Sequence, residues 1–348
     1  MAAVPRSREI SGPPSGTRVQ ALAEVPGLGG LYLRGAAGSA RSRLPGARNA
    51  SGGALPSVAY RASGIQVDVA HLTAYQHLLH ESGADALPSG YLHVLAFPVA
   101  TAVMVRDDFP LPLLGMVHVA NAASLLRPVS VGDELEVTAW TQDLRPHRRG
   151  SQLDVVAEVS VDGEVAWRGV STYLAKHAVA HPSSDPDAVG GSDPSAEVGA
   201  SAGGRASQGS TSSAAPYPGE GSDGDGSGER PGSEPVGSVV WKLPAGVGRE
   251  YGAVSGDRNP IHMSALSAKA FGFPRAIAHG MYTAARALAD VGPRRGQTYD
   301  WTVEFAKPVL LPGTVTVEIA EPQRGSFEYT ARHPRSGKTH LTGSVTKI

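Results

Sequence analysis

Lys307-Pro308-Val309-Leu310-Leu311-Pro312-Gly313, followed by Val315, Val317 and Ile319 in alternation, has a counterpart earlier in the same chain. That counterpart is Arg127-Pro128-Val129-Ser130-Val131-Gly132, followed by Leu135, Val137 and Ala139. A basic residue, proline, valine and then glycine open a strand of period two, once in each half, which reads as an internal repeat. In the second half a helix precedes the strands. Ile277, Met281, Ala284, Leu288 and Val291 recur at helical spacing, and Gly292-Pro293 stops them. Trp301, Val303 and Phe305, then Phe327, Tyr329 and Ala331, alternate with polar neighbours as half-buried strands do. In the first half the helix candidate runs from about His93 to Val105, interrupted by Pro98, and the strands include Leu153, Val155, Ala157, Val159 and Val161. One apolar helix ahead of three or four antiparallel strands, present twice, predicts an α+β chain in which a sheet wraps a helix in each half.

The 348 residues are enough for two domains, and a hydrophobic content of 41% is enough for real cores. No stretch approaches the roughly 18 apolar residues of a membrane span. The chain has no cysteine, which excludes disulfides, thiolate metal sites and cysteine nucleophiles and is compatible with the cytoplasm. The arginines near the start are followed by no apolar core, so no signal peptide is expected; a transit peptide is the lesser alternative to a disordered arm over residues 1–57. Residues 178–235 are rich in Gly, Ser, Asp, Pro and Ala and cannot bury enough apolar area to offset ordering entropy, so they read as a disordered linker. The net charge of −1 divides into −7 over residues 178–235, +5 over residues 1–57 and +1 elsewhere. The folded part is thus nearly neutral, and nucleic acid is not an expected partner.

The chemistry concentrates in Tyr251-Gly252-Ala253-Val254-Ser255-Gly256-Asp257-Arg258-Asn259-Pro260-Ile261-His262. Gly, Asp, Asn and Pro each favour turn geometry, and Pro260 biases Asn259 away from helix. Such a turn holds Asp257 and His262 at a fixed separation, where a carboxylate and an imidazole can bind one water and exchange protons with it. Asn259 is placed to orient the water or the Asp. Individually these are ordinary turn and cap residues; together they ask for more than a turn. A second run, Ala278-His279-Gly280-Met281, stands at the start of the apolar helix. The free N–H groups there favour negative charge, so the Gly280 amide can polarise a thioester carbonyl and stabilise its enolate. A plain helix-start glycine is the competing reading.

The run from Tyr251 to Ala268, with Ala278-His279-Gly280-Met281, resembles the hydratase motif of the MaoC-like, (R)-specific enoyl-CoA hydratases and 3-hydroxyacyl-thioester dehydratases, over about residues 238–348. The resemblance implies a double hot-dog fold: two long helices, each wrapped by an antiparallel sheet, forming a pseudo-dimer. It divides the chain into an arm (1–57), a degenerate N-terminal hot dog (58–177), the linker (178–235) and a C-terminal hot dog with the active site (236–348). It implies reversible hydration of trans-2-enoyl thioesters to (3R)-3-hydroxyacyl thioesters, with acyl-CoA or acyl-carrier protein as partner and no metal or redox cofactor. Carried over by position, Asp257 and His262 are the catalytic pair, Asn259 and Gly256 support them, and Gly280 binds the thioester oxygen. The first half has no Gly-Asp-x-Asn-Pro-x-His run, and its stretch from Leu92 to Met104 is a candidate lining of an acyl tunnel, with ordinary core the competing reading for most of its residues. Monomer and homodimer both satisfy a pseudo-dimer.

Other signals are weaker. Arg127 and Lys307 fit a CoA diphosphate contact and a structural role in the repeat equally well, and His147-Arg148-Arg149 reads as a solvated turn ahead of a phosphate contact. Gly27-Leu28-Gly29-Gly30 lacks the third glycine of a dinucleotide site. His77 and His80 read as helix surface. Two rival functions stay open on the sequence, a non-catalytic acyl-thioester binding subunit and a hot-dog thioesterase.

Overall fold

The computed structural model describes residue 7 and residues 12–41, 53–113, 116–176 and 235–348. The segment expected as a linker lies outside the described residues, except Pro235, which opens a strand. The first half contains β1 (Arg18–Ala21), α1 (Leu28–Arg41), β2 (Val58–Ile65), α2 (Val69–Leu79), α3 (Ser89–Met104), β3 (Met116–Leu125), β4 (Leu135–His147), β5 (Gly150–Val161) and β6 (Glu164–Lys176). The second contains β7 (Pro235–Leu243), α4 (Val247–Ser255), α5 (Pro260–Met263), α6 (Ala265–Ala270), α7 (Gly280–Val291), β8 (Tyr299–Phe305), β9 (Gly313–Gln323), β10 (Ser326–Arg332) and β11 (Thr339–Lys347).

All strands join one sheet in the order β1-β2-β4-β5-β6-β3-β8-β11-β10-β9-β7. The halves meet at β3 and β8, antiparallel from Ala120↔Glu304 to Leu125↔Tyr299. Each half curls around its own helix, α3 or α7, which is the double hot-dog arrangement. The helices come close at Gly90, where a Cβ would sit 2.9 Å from that of Ala285. The tryptophans Trp140, Trp167, Trp241 and Trp301 are fully buried. Two of their ring nitrogens tie the sheet to the helices: Trp167 donates to Ser89 at the start of α3 (2.7 Å), and Trp241 donates to Asp290 on α7 (2.8 Å).

The repeat is a structural one. In the first half Leu87 N donates to Val129 O at 2.7 Å and Val131 N to Asp85 O at 3.0 Å. In the second, Ala278 N donates to Val309 O at 2.9 Å and Leu311 N to Ala276 O at 2.8 Å. Each Pro-Val segment therefore clasps the chain two residues ahead of its central helix.

Two expectations change. α3 starts at Ser89 and runs unbroken through Pro98. It is buried on nearly every face, so packing outweighs the one amide that proline removes, and Thr101 Oγ1 bonds Phe97 O at 2.8 Å across the same turn. Within residues 1–57, expected as a disordered arm, residues 18–21 form β1, parallel to β2 from Arg18↔Val58 to Ala21↔Arg61, and residues 28–41 form α1. Composition gave no sign of this, because these elements are held by partners distant in sequence, β1 by β2 and α1 by α3, Leu113 and Gly256.

A buried ion pair also spans the halves. Arg295, after α7, donates to both oxygens of Glu81, after α2, at 3.1 and 2.9 Å, and their side chains are 13% and 6% exposed. Arg295→Met is expected to lower unfolding stability by about 3 kcal/mol, because it strands a buried carboxylate; adding Glu81→Leu should recover most of that loss. Urea denaturation of both variants checks it.

Candidate active site

The polypeptide turns sharply at the end of α4. Gly256 has φ 72°, which favours glycine, and the tip of Leu28 from α1 packs into the space a Cβ would take. The turn is then locked by its own side chains. Ser255 Oγ accepts from Asp257 N at 3.2 Å, and Asp257 Oδ1 accepts from Asn259 N at 3.1 Å. Asn259 Oδ1 caps α5 by accepting from Ile261 N at 3.4 Å, and Pro260 follows at the first helical position. Asn259 thus supports Asp257 through its backbone, while its side chain is occupied in capping, which differs from the expected side-chain role.

α5 is only long enough to carry His262 inward. His262 Nδ1 lies 2.9 Å from Ile277 O, and a carbonyl only accepts, so Nδ1 holds the proton and Nε2 presents a lone pair. His279, which precedes α7, likewise donates from Nε2 to Asp257 O at 2.9 Å, with Asp257 Oδ2 at 3.8 Å. Its ring stacks on that of His262, with centroids 3.7 Å apart and planes 25° apart.

Asp257, His262 and His279 each bring one donor atom within 4.8 Å of the others. One water closes such a span with two hydrogen bonds of about 2.8 Å. The same three residues are the candidates for a metal ion. Imidazole lone pairs lie in the ring plane, however, and two stacked planes do not converge on one point, so the set does not fit an ion shared by all three.

These groups face a cavity of about 330 Å³. Gly280 lines it at the start of α7, whose cap residue His279 makes no side-chain capping bond. The N-terminal amides of α7 are thereby left for a ligand. Phe305 abuts Gly280: a Cβ there would lie 3.1 Å from the ring. The first half supplies a second wall, with Val94, Phe97, Thr101 and Met104 from the proposed acyl stretch, plus His93, His118 and Tyr173. His118 stacks on Tyr173 at 4.8 Å and meets Phe305 edge-on at 5.2 Å. Lys307 and Arg149 line the cavity too, whereas Arg127 bonds Val161 O at 3.0 Å. His77 and His80 are exposed.

Burial sets the charges. It pushes His262 down to about 3, with the neighbouring His279 adding to the effect, and Asp257 and the Ile277 carbonyl only partly opposing it. Burial likewise lowers His279, takes His93 to about 4, and takes His118 to about 3 with His93 beside it. All four imidazoles are therefore neutral at pH 7. Burial alone would raise Asp257, but His279, His262, Tyr32 and the Asn259 amide outweigh it and hold the carboxyl below its ordinary value. With both imidazoles neutral, the hydrogen bonds are what stabilise its charge near neutrality. A quarter of its side chain stays open to the cavity, against 3% for His279. The result is an ionised carboxylate beside a neutral imidazole acceptor, facing free helix amides.

Sequence reasoning named Asp257, His262, Asn259, Gly256 and Gly280, and the fold brings all five to this cavity or the turn that forms it. It gave no role to His279, although a histidine directly before a helix-start glycine was a usable signal. It missed Tyr32, His118 and Tyr173, which no local pattern marks, and it included His93 only as part of the helix candidate from about His93 to Val105.

The family description "MaoC like domain" matches residues 241–340. The "3-hydroxyacyl-thioester dehydratase X" of Mycobacterium tuberculosis is 33% identical over 291 residues, covering 84% of this chain and 90% of that protein. The "3-hydroxybutyryl-CoA dehydratase" of Methylorubrum extorquens is 40% identical over 73 residues, covering 20% of this chain and 46% of that protein. The crystal structure of HtdX from Mycobacterium tuberculosis superposes with a TM-score of 0.63 at 30% identity, covering 83% of this chain and 100% of that one.

Proposed function

The chain belongs to the MaoC-like dehydratase family, and we propose on that footing that it adds water reversibly to trans-2-enoyl thioesters, giving (3R)-3-hydroxyacyl thioesters. The observation that carries the reading is the convergence of Asp257, His262 and His279, one ligating atom of each within 4.8 Å of the others, in the same cavity as Gly280 at the start of α7. In hydration the water oxygen bonds to C3, and the double-bond electrons move onto the thioester oxygen. The Gly280 amide, at the positive end of α7, stabilises that enolate. The proton leaving the water is held on the Asp257–His262 pair and delivered to C2. Water supplies every atom added, and dehydration is the same path reversed. The acyl chain runs along α3, and the apolar wall excludes bulk water from the enolate.

Crotonyl-CoA and longer enoyl thioesters, on CoA and on carrier protein, test the proposal through loss of conjugated enoyl absorbance. A (3R)-hydroxyacyl product supports it. Release of free thiol without hydration would make the protein a thioesterase, and binding without turnover would make it a binding subunit. Gly280→Ala crowds the Phe305 ring and displaces the amide, so kcat is expected to fall on the order of tenfold. Steady-state kinetics with the best of these thioesters checks it.

A further inference from the structure

The N-terminal helix reaches the reacting groups. Tyr32, on α1, donates its hydroxyl to Asp257 Oδ1 at 2.5 Å, across 225 residues of sequence. The helix is seated by packing as well as by this bond. β1 ties the segment to β2, Leu22 N donates to Arg61 O at 2.7 Å, and Leu31 is buried. Leu28 fills the space beside Gly256, and Leu113 packs against Gly35. The glycine-rich stretch that fails as a dinucleotide site thus opens a helix whose one polar ring enters the cavity.

We propose that Tyr32 is a positioning residue of the active site, holding the Asp257 carboxylate in the orientation that presents its other oxygen to water. This rests on the hydratase reading above. Among the described residues, Tyr32 is the side chain that the hydrogen bonds place on this carboxylate; the other donor to it is the Asn259 amide. The remaining titratable groups facing Asp257 are His262 from α5, His279 ahead of α7, Tyr251 from α4, His93 from α3, His118 from β3 and Tyr173 from β6. The histidines are neutral and the tyrosines protonated at pH 7, so none of them supplies a full positive charge. Burial and the adjacent carboxylate both raise the Tyr32 phenol, which keeps it a donor throughout the working pH range. A bond to the ionised form favours that form, so its removal moves the Asp257 titration upward.

The test compares wild type, Tyr32→Phe and Leu33→Ala in the full chain. Leu33 sits on the same helix at 75% exposure and serves as the control. Tyr32→Phe is expected to lower kcat on the order of tenfold with KM little changed, and to move the acid limb of kcat/KM up by about one pH unit. Leu33→Ala should match wild type, and circular dichroism should show all three folded. Wild type inactive on every enoyl thioester would overturn the hydratase reading itself. Wild type active with an unchanged profile in Tyr32→Phe would overturn the role of Tyr32 alone. A faster Tyr32→Phe enzyme would also overturn it, since the hydroxyl would then be competing with the water.

Discussion

Asp257→Asn is expected to lower kcat by about three orders of magnitude while the protein stays folded. The amide keeps the shape of the carboxylate and can still accept from Tyr32 and from the Asn259 amide, so the turn between Gly256 and Pro260 survives. What it loses is the charge and the capacity to take a proton, and general acid–base catalysis is worth about 10²–10⁴ in rate. Stopped-flow loss of enoyl absorbance measures the drop, and thermal melting shows whether the fold is intact. Wild-type kcat/KM should also hold to acid pH. Asp257 is held below its ordinary value, so its base form persists there, and the acid limb belongs to the coupled pair rather than to either residue. A variant within tenfold of wild type would remove Asp257 from the mechanism.

His262 gives the second large effect, and the choice of substitute separates chemistry from stability. His262→Ala deletes two things at once: the Nε2 lone pair and the donor to the buried Ile277 carbonyl. An orphaned buried acceptor costs about 1–3 kcal/mol, so this variant should be slow and less stable. His262→Asn places an amide N–H near the position of Nδ1 and keeps that bond, but has nothing at the position of Nε2. It is expected to lose about 10²–10³ in kcat while melting close to wild type. Kinetics and melting on both variants check this, and equal activity of His262→Asn and wild type would exclude Nε2 as a proton carrier.

Strands of the second half were readable because they are more exposed on one side, whereas β5 is buried on both faces and was marked by its alternating Leu and Val. The alternation of Trp301 and Val303 with polar neighbours survives in the burial of β8, although Phe305 is only partly buried where it lines the cavity, and β10 alternates throughout. The repeat was readable because both halves clasp a central helix with the same proline–valine segment. α7 was legible for the same reason, with one apolar stripe. α3 was legible as a helix, but its start at Ser89 and its continuity through Pro98 were not, because residues such as Tyr91, Leu92, Val94, Ala96, Val99 and Val103 are buried around the whole cylinder and leave no stripe to mark its bounds. The reactive turn was legible because Gly, Asp, Asn and Pro act on their near neighbours. His118, Tyr173 and Tyr32 reach the cavity through strand pairing and helix docking, and no window of sequence contains such information. His279 lies between these cases: its position was in view, but its partner was the backbone of Asp257, 22 residues away.

The bond between Tyr32 and Asp257 also bears on when the protein becomes active. A ribosome delivers Tyr32 early and Asp257 much later, so the first helix waits for most of the polypeptide before its partner exists. Closing so long a loop is slow to nucleate, though each further doubling of length adds only about 0.6 kcal/mol. The bond can form only once the second half has docked edge to edge on the first. Turnover is thus a late reporter of assembly: a fragment or a mispaired seam would show native-like helix content yet leave the carboxylate unaligned, and recovery of rate during refolding would time the last step rather than the first.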